Sequence, residues 1–141
     1  MYKTLIKPLV DWGIAFCALI ILIPIFIVVI IAIKIDSPGP VFFIQNRLGR
    51  DGRVFKIFKF RSMRQDLSAM EDNKLYENDQ RITRVGRFIR KTSIDEIPQI
   101  LNILRGEMSF IGPRPPITTF PKRFEEYTEF EKQRFNVKPG I

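Results

Sequence analysis

The hydrophobic positions of this 141-residue chain fall into one long block and several short periodic stretches. The block runs from Trp12 to Ile33, 22 residues without a charge between Asp11 and Lys34. As a helix it extends roughly 33 Å, about the hydrocarbon thickness of a bilayer. It is too long for a cleavable signal peptide, and Asp36-Ser37-Pro38-Gly39-Pro40 offers no small-x-small cleavage site. Pro24, near the middle, deprives the Ile20 carbonyl of its helical donor and predicts a kink. Lys3 and Lys7 precede the block and a basic remainder follows, so the positive-inside rule assigns no clean polarity. Two arrangements fit these residues. One is a helix that spans the membrane; the other bends at Pro24 and keeps every cation on one face.

Beyond the block, Val41 to Ile44 and Val54 to Phe60 are rich in aromatic and β-branched residues and flank Gly49-Arg50-Asp51-Gly52. That predicts a short hairpin turning at Asp51-Gly52. The polar, acid-rich residues 65–80 predict a loop or a loosely held helix. Ile82, Val85, Phe88 and Ile89 recur at helical spacing with arginines between them. Ser93-Ile94-Asp95-Glu96 has the form of a capping box, and Ile97, Ile100, Leu101, Ile103 and Leu104 continue as a helix that Arg105-Gly106 ends. Gly112-Pro113-Arg114-Pro115-Pro116 predicts a stiff extended loop. Phe120, Phe124, Tyr127, Phe130 and Arg134 then mark an amphipathic helix whose aromatic stripe suits a lipid interface. The fold class predicted is α+β: a membrane-embedded helix over residues 1–35, broken near Pro24, then a small helix-rich domain over 36–141 with a short β-hairpin and interfacial amphipathic helices.

Composition narrows the chemistry. The chain has no His, which excludes imidazole as base, acid or ligand, and its single Cys excludes a disulfide framework or thiolate zinc site. Its 23 Lys and Arg against 15 Asp and Glu give a net charge of +8. The cations cluster from Arg47 to Arg64 and from Arg81 to Lys91, a surface for anionic lipid, phosphorylated ligands or nucleic acid, or simply a solvated basic face. Base-stacking aromatics are not obviously offered, so nucleic acid is not an expected partner.

Just after the second cluster Asp95-Glu96 is an adjacent acidic pair. On a helix the two side chains diverge by about 100°, so they face different partners. At a helix N-terminus both are favoured as anions, and an ionised Asp is a competent nucleophile toward phosphorus once the electrophile's charge is neutralised. Arg90, Lys91 and Arg114 could supply that neutralisation, and Mg²⁺ takes one or two carboxylates plus phosphate oxygens. The plainer alternative is that Ser93 and Glu96 cap a helix and Asp95 complements its dipole. Pro98 sits awkwardly with a cap at Ser93, because it falls past the first turn.

Val41-Phe42-Phe43-Ile44-Gln45-Asn46-Arg47-Leu48-Gly49, then Phe55-Lys56-Ile57-Phe58-Lys59-Phe60-Arg61-Ser62-Met63, resembles the bacterial sugar transferase family. The match is strongest from Thr92 through Asp95-Glu96-Ile97-Pro98-Gln99 to Asn102, and from Arg105 to Pro115. The family resembled is that of monotopic polyprenyl-phosphate phosphoglycosyl transferases. The resemblance implies that a UDP-sugar gives its phosphosugar to a polyprenyl (undecaprenyl) phosphate and releases UMP, the first membrane step of surface glycan assembly. It implies Asp95 as the nucleophile and neighbour of a Mg²⁺ cofactor, assisted by Glu96, through a covalent phosphosugar-Asp intermediate. Arg90 and Arg114 are implied phosphate-binding residues, joined by Lys59 and Arg61. It also implies a re-entrant helix kinked at Pro24, in contact with membrane lipids, with the remaining domain on the cytoplasmic face of the bacterial inner membrane. Three departures accompany the resemblance. Ile23 stands where Ser often precedes the proline, Glu107 stands where Asp is usual, and the family pattern continues beyond Ile141. The last predicts a core that is short relative to the family, and leaves the alternative of an inactive fragment binding nucleotide or lipid without turnover.

Overall fold

The computed structural model describes residues 5–64, 81–119 and 121–141, so the expectations for residues 65–80 and for Phe120 lie outside it. The apolar block forms one helix, α1 (Lys7–Asp36), and helical geometry continues on both sides of Pro24. One stripe of α1 is covered along most of its length. Ala15, Ala18, Leu19 and Leu22 pack with Phe55, Ile57, Ile100, Ile103 and Met108. Phe26, Val29, Ile30 and Ile33 form a second cluster with Phe60, Ile89 and Val85. Steps of three and four residues keep these positions on one helical face. Pro24 falls between the two clusters. The opposite face is bare: Leu9, Ile21, Val28 and Ile35 are each at least 66% exposed.

Both ends of α1 are tied to the same body. The Ser109 hydroxyl donates to Asp11 at 2.8 Å and accepts from the Lys7 ammonium. At the other end Asp36 accepts from the Val85 amide at 2.9 Å. Arg61, only 3% exposed, fastens the turn that follows by donating to the Ser37 and Pro38 carbonyls at 2.7 and 2.8 Å.

Strands β1 (Phe42–Leu48) and β2 (Val54–Phe60) pair antiparallel, with Phe42 opposite Phe60 and Leu48 opposite Val54. β1 is longer than its aromatic start suggested, because Gln45, Asn46 and Arg47 continue the ladder. Asp51 and Gly52 both have positive φ, and the Arg53 amide closes the turn onto the Arg50 carbonyl at 3.1 Å. This is the two-residue geometry that Asp-Gly favours. Two backbone groups of β2 that do not pair with β1 are met by one side chain. Asn102, fully buried, donates to the Lys56 carbonyl at 2.7 Å and accepts from the Phe58 amide at 3.1 Å, as a third strand would. Its amide also reaches Glu107 at 2.7 Å. Asn102→Ala strands these groups in the interior and is expected to lower stability by about 3 kcal/mol. Denaturant unfolding measures this, and an unchanged midpoint would contradict the role.

Helix α2 (Arg84–Lys91) is capped by Thr83, whose hydroxyl accepts from the Gly86 amide at 2.8 Å. A 3-10 helix (Ile94–Gln99) and α3 (Ile100–Leu104) follow, and Gly106 at φ +75° ends the run as expected.

Two expectations fail here. The capping box at Ser93 does not form: Ser93 is left-handed at φ 56°, its side chain caps nothing, and Glu96 turns to other partners. Pro98 explains the local form, since it has no amide to give an α-helix while a short 3-10 turn tolerates it. The aromatic segment is also not one interfacial helix. It breaks into a 3-10 turn (Phe124–Glu126), α4 (Glu129–Lys132) and a second 3-10 turn (Gln133–Asn136). Thr128 and Glu131 form a true capping box, which starts a new helix and interrupts the periodicity. Phe124, Tyr127 and Phe135 pack under Leu48 as a small core, and Phe130 is left exposed.

Candidate active site

The site assembles where β2 runs beside the 3-10 helix. This contact brings Lys59, near the end of β2, to Glu96, whose Oε1 accepts from Lys59 Nζ at 2.7 Å. The same oxygen accepts from Arg114 Nη2 at 3.1 Å. Arg114 arrives on the extended loop expected for Gly112–Pro116, which is held at four carbonyls. The Gly140 amide donates to Pro113 at 3.1 Å and Arg134 to Arg114 at 2.7 Å. Arg47 and the Leu48 amide donate to Pro115 and Pro116, each at 3.0 Å. Gly112 and Gly140 pass so closely that a Cβ on Gly112 would lie 2.3 Å from the Lys138 carbonyl oxygen.

Asp95 and Glu96 have different surroundings, as their adjacency on a helix predicted. Asp95 is 9% exposed, and among the described residues no other side chain donates to it. Burial pushes its carboxyl above the ordinary value; Glu96 adds to the rise, and Lys59 and Arg90 offset it in part. The end of the helix therefore does not hold the Asp95 carboxyl below its ordinary value. Desolvation outweighs the end of a 3-10 helix only six residues long. Burial also raises Glu96, but the Lys59 hydrogen bond and charge, with Arg114, outweigh it and hold Glu96 below its usual range. One carboxylate is thus committed to two cations, and the other keeps its oxygens free.

Of the residues singled out from sequence, Asp95, Glu96, Lys59 and Arg114 come together, and Arg90 acts on Asp95 through its charge. Arg61 does not join them. Its guanidinium serves the Ser37 and Pro38 carbonyls, so its expected phosphate-binding role is replaced by a structural one. Two residues escaped the sequence reading. Arg47 and Gln99 line a small open cleft with Lys59, Glu96, Arg114 and Pro115. Gln99 follows Glu96 by three positions, the spacing that stacks side chains in a 3-10 helix; an α-helical expectation hid that signal.

No group of three or more acidic, His or Cys side chains converges among the described residues. The free carboxylate of Asp95 nevertheless fits Mg²⁺, which takes one or two protein carboxylates and completes its shell with phosphate oxygens and water.

A profile described as bacterial sugar transferase matches residues 2–141. The chain is 46% identical over 133 residues to the UDP-N-acetylgalactosamine-undecaprenyl-phosphate N-acetylgalactosaminephosphotransferase of Aeromonas hydrophila, covering 92% of this chain and 31% of that protein. It is 41% identical over 141 residues to the UDP-glucose:undecaprenyl-phosphate glucose-1-phosphate transferase of Escherichia coli (strain K12), covering 97% and 30%. An exopolysaccharide production protein of Rhizobium leguminosarum bv. phaseoli is 42% identical over 128 residues, covering 88% and 64%. The chain spans about a third of the length of the first two relatives. With residues 2–141 matched by the profile, this chain belongs to the bacterial sugar transferase family.

Proposed function

We propose that this chain transfers a phosphosugar from a UDP-sugar to a polyprenyl phosphate and releases UMP. The observation that carries the reading is the pairing of a buried, uncommitted Asp95 with a Glu96 neutralised by Lys59 and Arg114. An Asp95 oxygen attacks the sugar-linked phosphorus, and the bond to the UMP oxygen breaks. UMP departs with that oxygen, leaving the phosphosugar on Asp95. The polyprenyl phosphate oxygen then attacks the same phosphorus and frees the carboxylate. Neither step needs a histidine. Lys59, Arg90 and Arg114 offset phosphoryl charge, which is most of what such transfer asks of a protein. Asp95, with the donor's phosphates, would hold Mg²⁺, which would supply further charge neutralisation.

The same reading places α1 in the cytoplasmic leaflet of the bacterial inner membrane as a re-entrant helix. Its support is the two-ended attachment: Asp11 to Ser109 and Asp36 to Val85, with one covered stripe between. A helix crossing the bilayer would have to carry those contacts through hydrocarbon. The bare face meets lipid, and Pro24 between the clusters is where bending costs least.

UMP release from a panel of UDP-sugars, with undecaprenyl phosphate and Mg²⁺, tests the reading. Silence across the panel from folded protein would favour binding without turnover. The reaction also has a pH signature. A protonated Asp95 cannot attack, so activity is lost as pH falls through a pKa raised above the usual carboxylate value of about 4. Lys59→Met removes a cation that opposes the rise and is expected to move the acid limb to still higher pH. A limb that stays in place would show that another group titrates.

A further inference from the structure

We propose that Arg47 is a positioning residue that keeps Arg114 within reach of the donor's phosphates. The Arg114 side chain is 73% exposed, so little packing fixes it and its aim depends on the backbone that carries it. Of the anchors on that loop, the one at Pro115, the next residue, comes from Arg47 and is partly buried. The guanidinium is itself pinned. Nη1 donates to the Pro115 carbonyl at 3.0 Å, and Nη2 donates to Gln45 Oε1 at 2.7 Å, two residues away on the same face of β1. A backbone bridge between Arg47 and Ile117 adds to the hold. Nε is buried without a partner. Among the described residues no carboxylate pairs directly with Arg47. Burial and the neighbouring Arg114 charge oppose its own charge, and Glu96 offsets them only in part. A cation kept beside a cation costs free energy, and the cost falls when an anion enters the cleft that Arg47, Lys59 and Arg114 line. Each terminal nitrogen already has a neutral partner in the free protein, so Arg47 is placed to act on that anion through the loop and the Arg114 side chain it carries.

The inference rests on the transferase reading, in which Arg114 meets phosphate, and a double-mutant cycle tests it. Binding of UDP-glucose, UDP-N-acetylgalactosamine and UMP is measured on Asp95→Asn protein carrying Arg47→Met, Arg114→Met, both or neither. Methionine keeps an unbranched apolar stem and removes the guanidinium. For the ligands that bind, Arg47→Met is expected to lower affinity about 10-fold while Arg114 is present, and less than about twofold once Arg114 is methionine. Losses that simply multiply would mean that Arg47 meets the ligand itself, and would overturn the positioning role. Affinity unchanged by either single substitution would overturn it as well. A merely structural Arg47 predicts a lower unfolding temperature with no coupling to Arg114. If the methionine variant fails to fold, Arg47→Lys carries the same cycle, and loss of folding in both sinks the proposal. No binding of any of the three ligands would overturn both readings. Donor binding and coupling, with no UMP release from the unsubstituted protein, would reject the transferase reading and keep the Arg47 assignment.

Discussion

Replacing Asp95 by asparagine is expected to reduce phosphosugar transfer by at least about a thousandfold while leaving the protein folded. The amide has the shape of the carboxylate and none of its nucleophilicity, so the first bond to phosphorus cannot form. The fold should not suffer, because Asp95 is buried without a side-chain donor that an amide would offend. Since burial already disfavours the Asp95 anion, asparagine should match or exceed the original stability near neutral pH. The sign is fixed by the raised pKa. As pH climbs from about 4 through that value, the folded state loses stability relative to the unfolded chain, and asparagine removes this loss. UMP release and thermal unfolding, measured side by side, check both halves. Transfer that survives the substitution would mean that Glu96 or the lipid phosphate itself makes the first attack.

Arg61→Met should do the opposite, lowering stability by about 3 kcal/mol or more while leaving any bound donor's affinity nearly unchanged. The guanidinium donates from two nitrogens to the Ser37 carbonyl, the Ser37 hydroxyl and the Pro38 carbonyl, at 2.7, 2.8 and 2.8 Å. Methionine fills the space and leaves those acceptors without a partner in a largely buried corner. Lysine is not a substitute, because one ammonium cannot reproduce a planar fork reaching two successive carbonyls. Gly39 completes the fit: a Cβ there would lie 2.2 Å from an Arg61 nitrogen. At this chain length the loss corresponds to roughly 10 °C in unfolding temperature. A variant of full stability and weakened donor binding would return Arg61 to the phosphate site.

How far the chain can be read without coordinates differs from element to element. The apolar block, the Asp51-Gly52 hairpin and the Gly106 stop were legible because each depends on local chemistry: hydrophobicity, positive φ, a left-handed cap. The proline-rich loop was legible for the same reason, although not that it carries Arg114 to Glu96. Ser93 and Glu96 matched a capping box in spacing and failed it in structure, because Pro98 and the pull of Lys59 outweighed the local preference. Phe124 and Tyr127 looked like part of a lipid-facing stripe because periodicity does not say what covers a face; Leu48, Phe135 and the turn at Gly52 do. Arg61 and Lys59 are two residues apart on one motif and could not be told apart by charge. Only the contacts of the Ser37–Pro38 turn separate a structural arginine from a site lysine.

The central claim is that Asp95 carries the phosphosugar between donor and acceptor. Intact-mass measurement of the protein, mixed with a UDP-sugar and Mg²⁺ but no polyprenyl phosphate, tests it most directly. The expected result is a protein heavier by one phosphosugar, with UMP released in equal amount, and no such gain in Asp95→Asn. An adduct that persists in Asp95→Asn, or a wild-type protein that releases UMP only when the lipid is added and never gains mass, would contradict it.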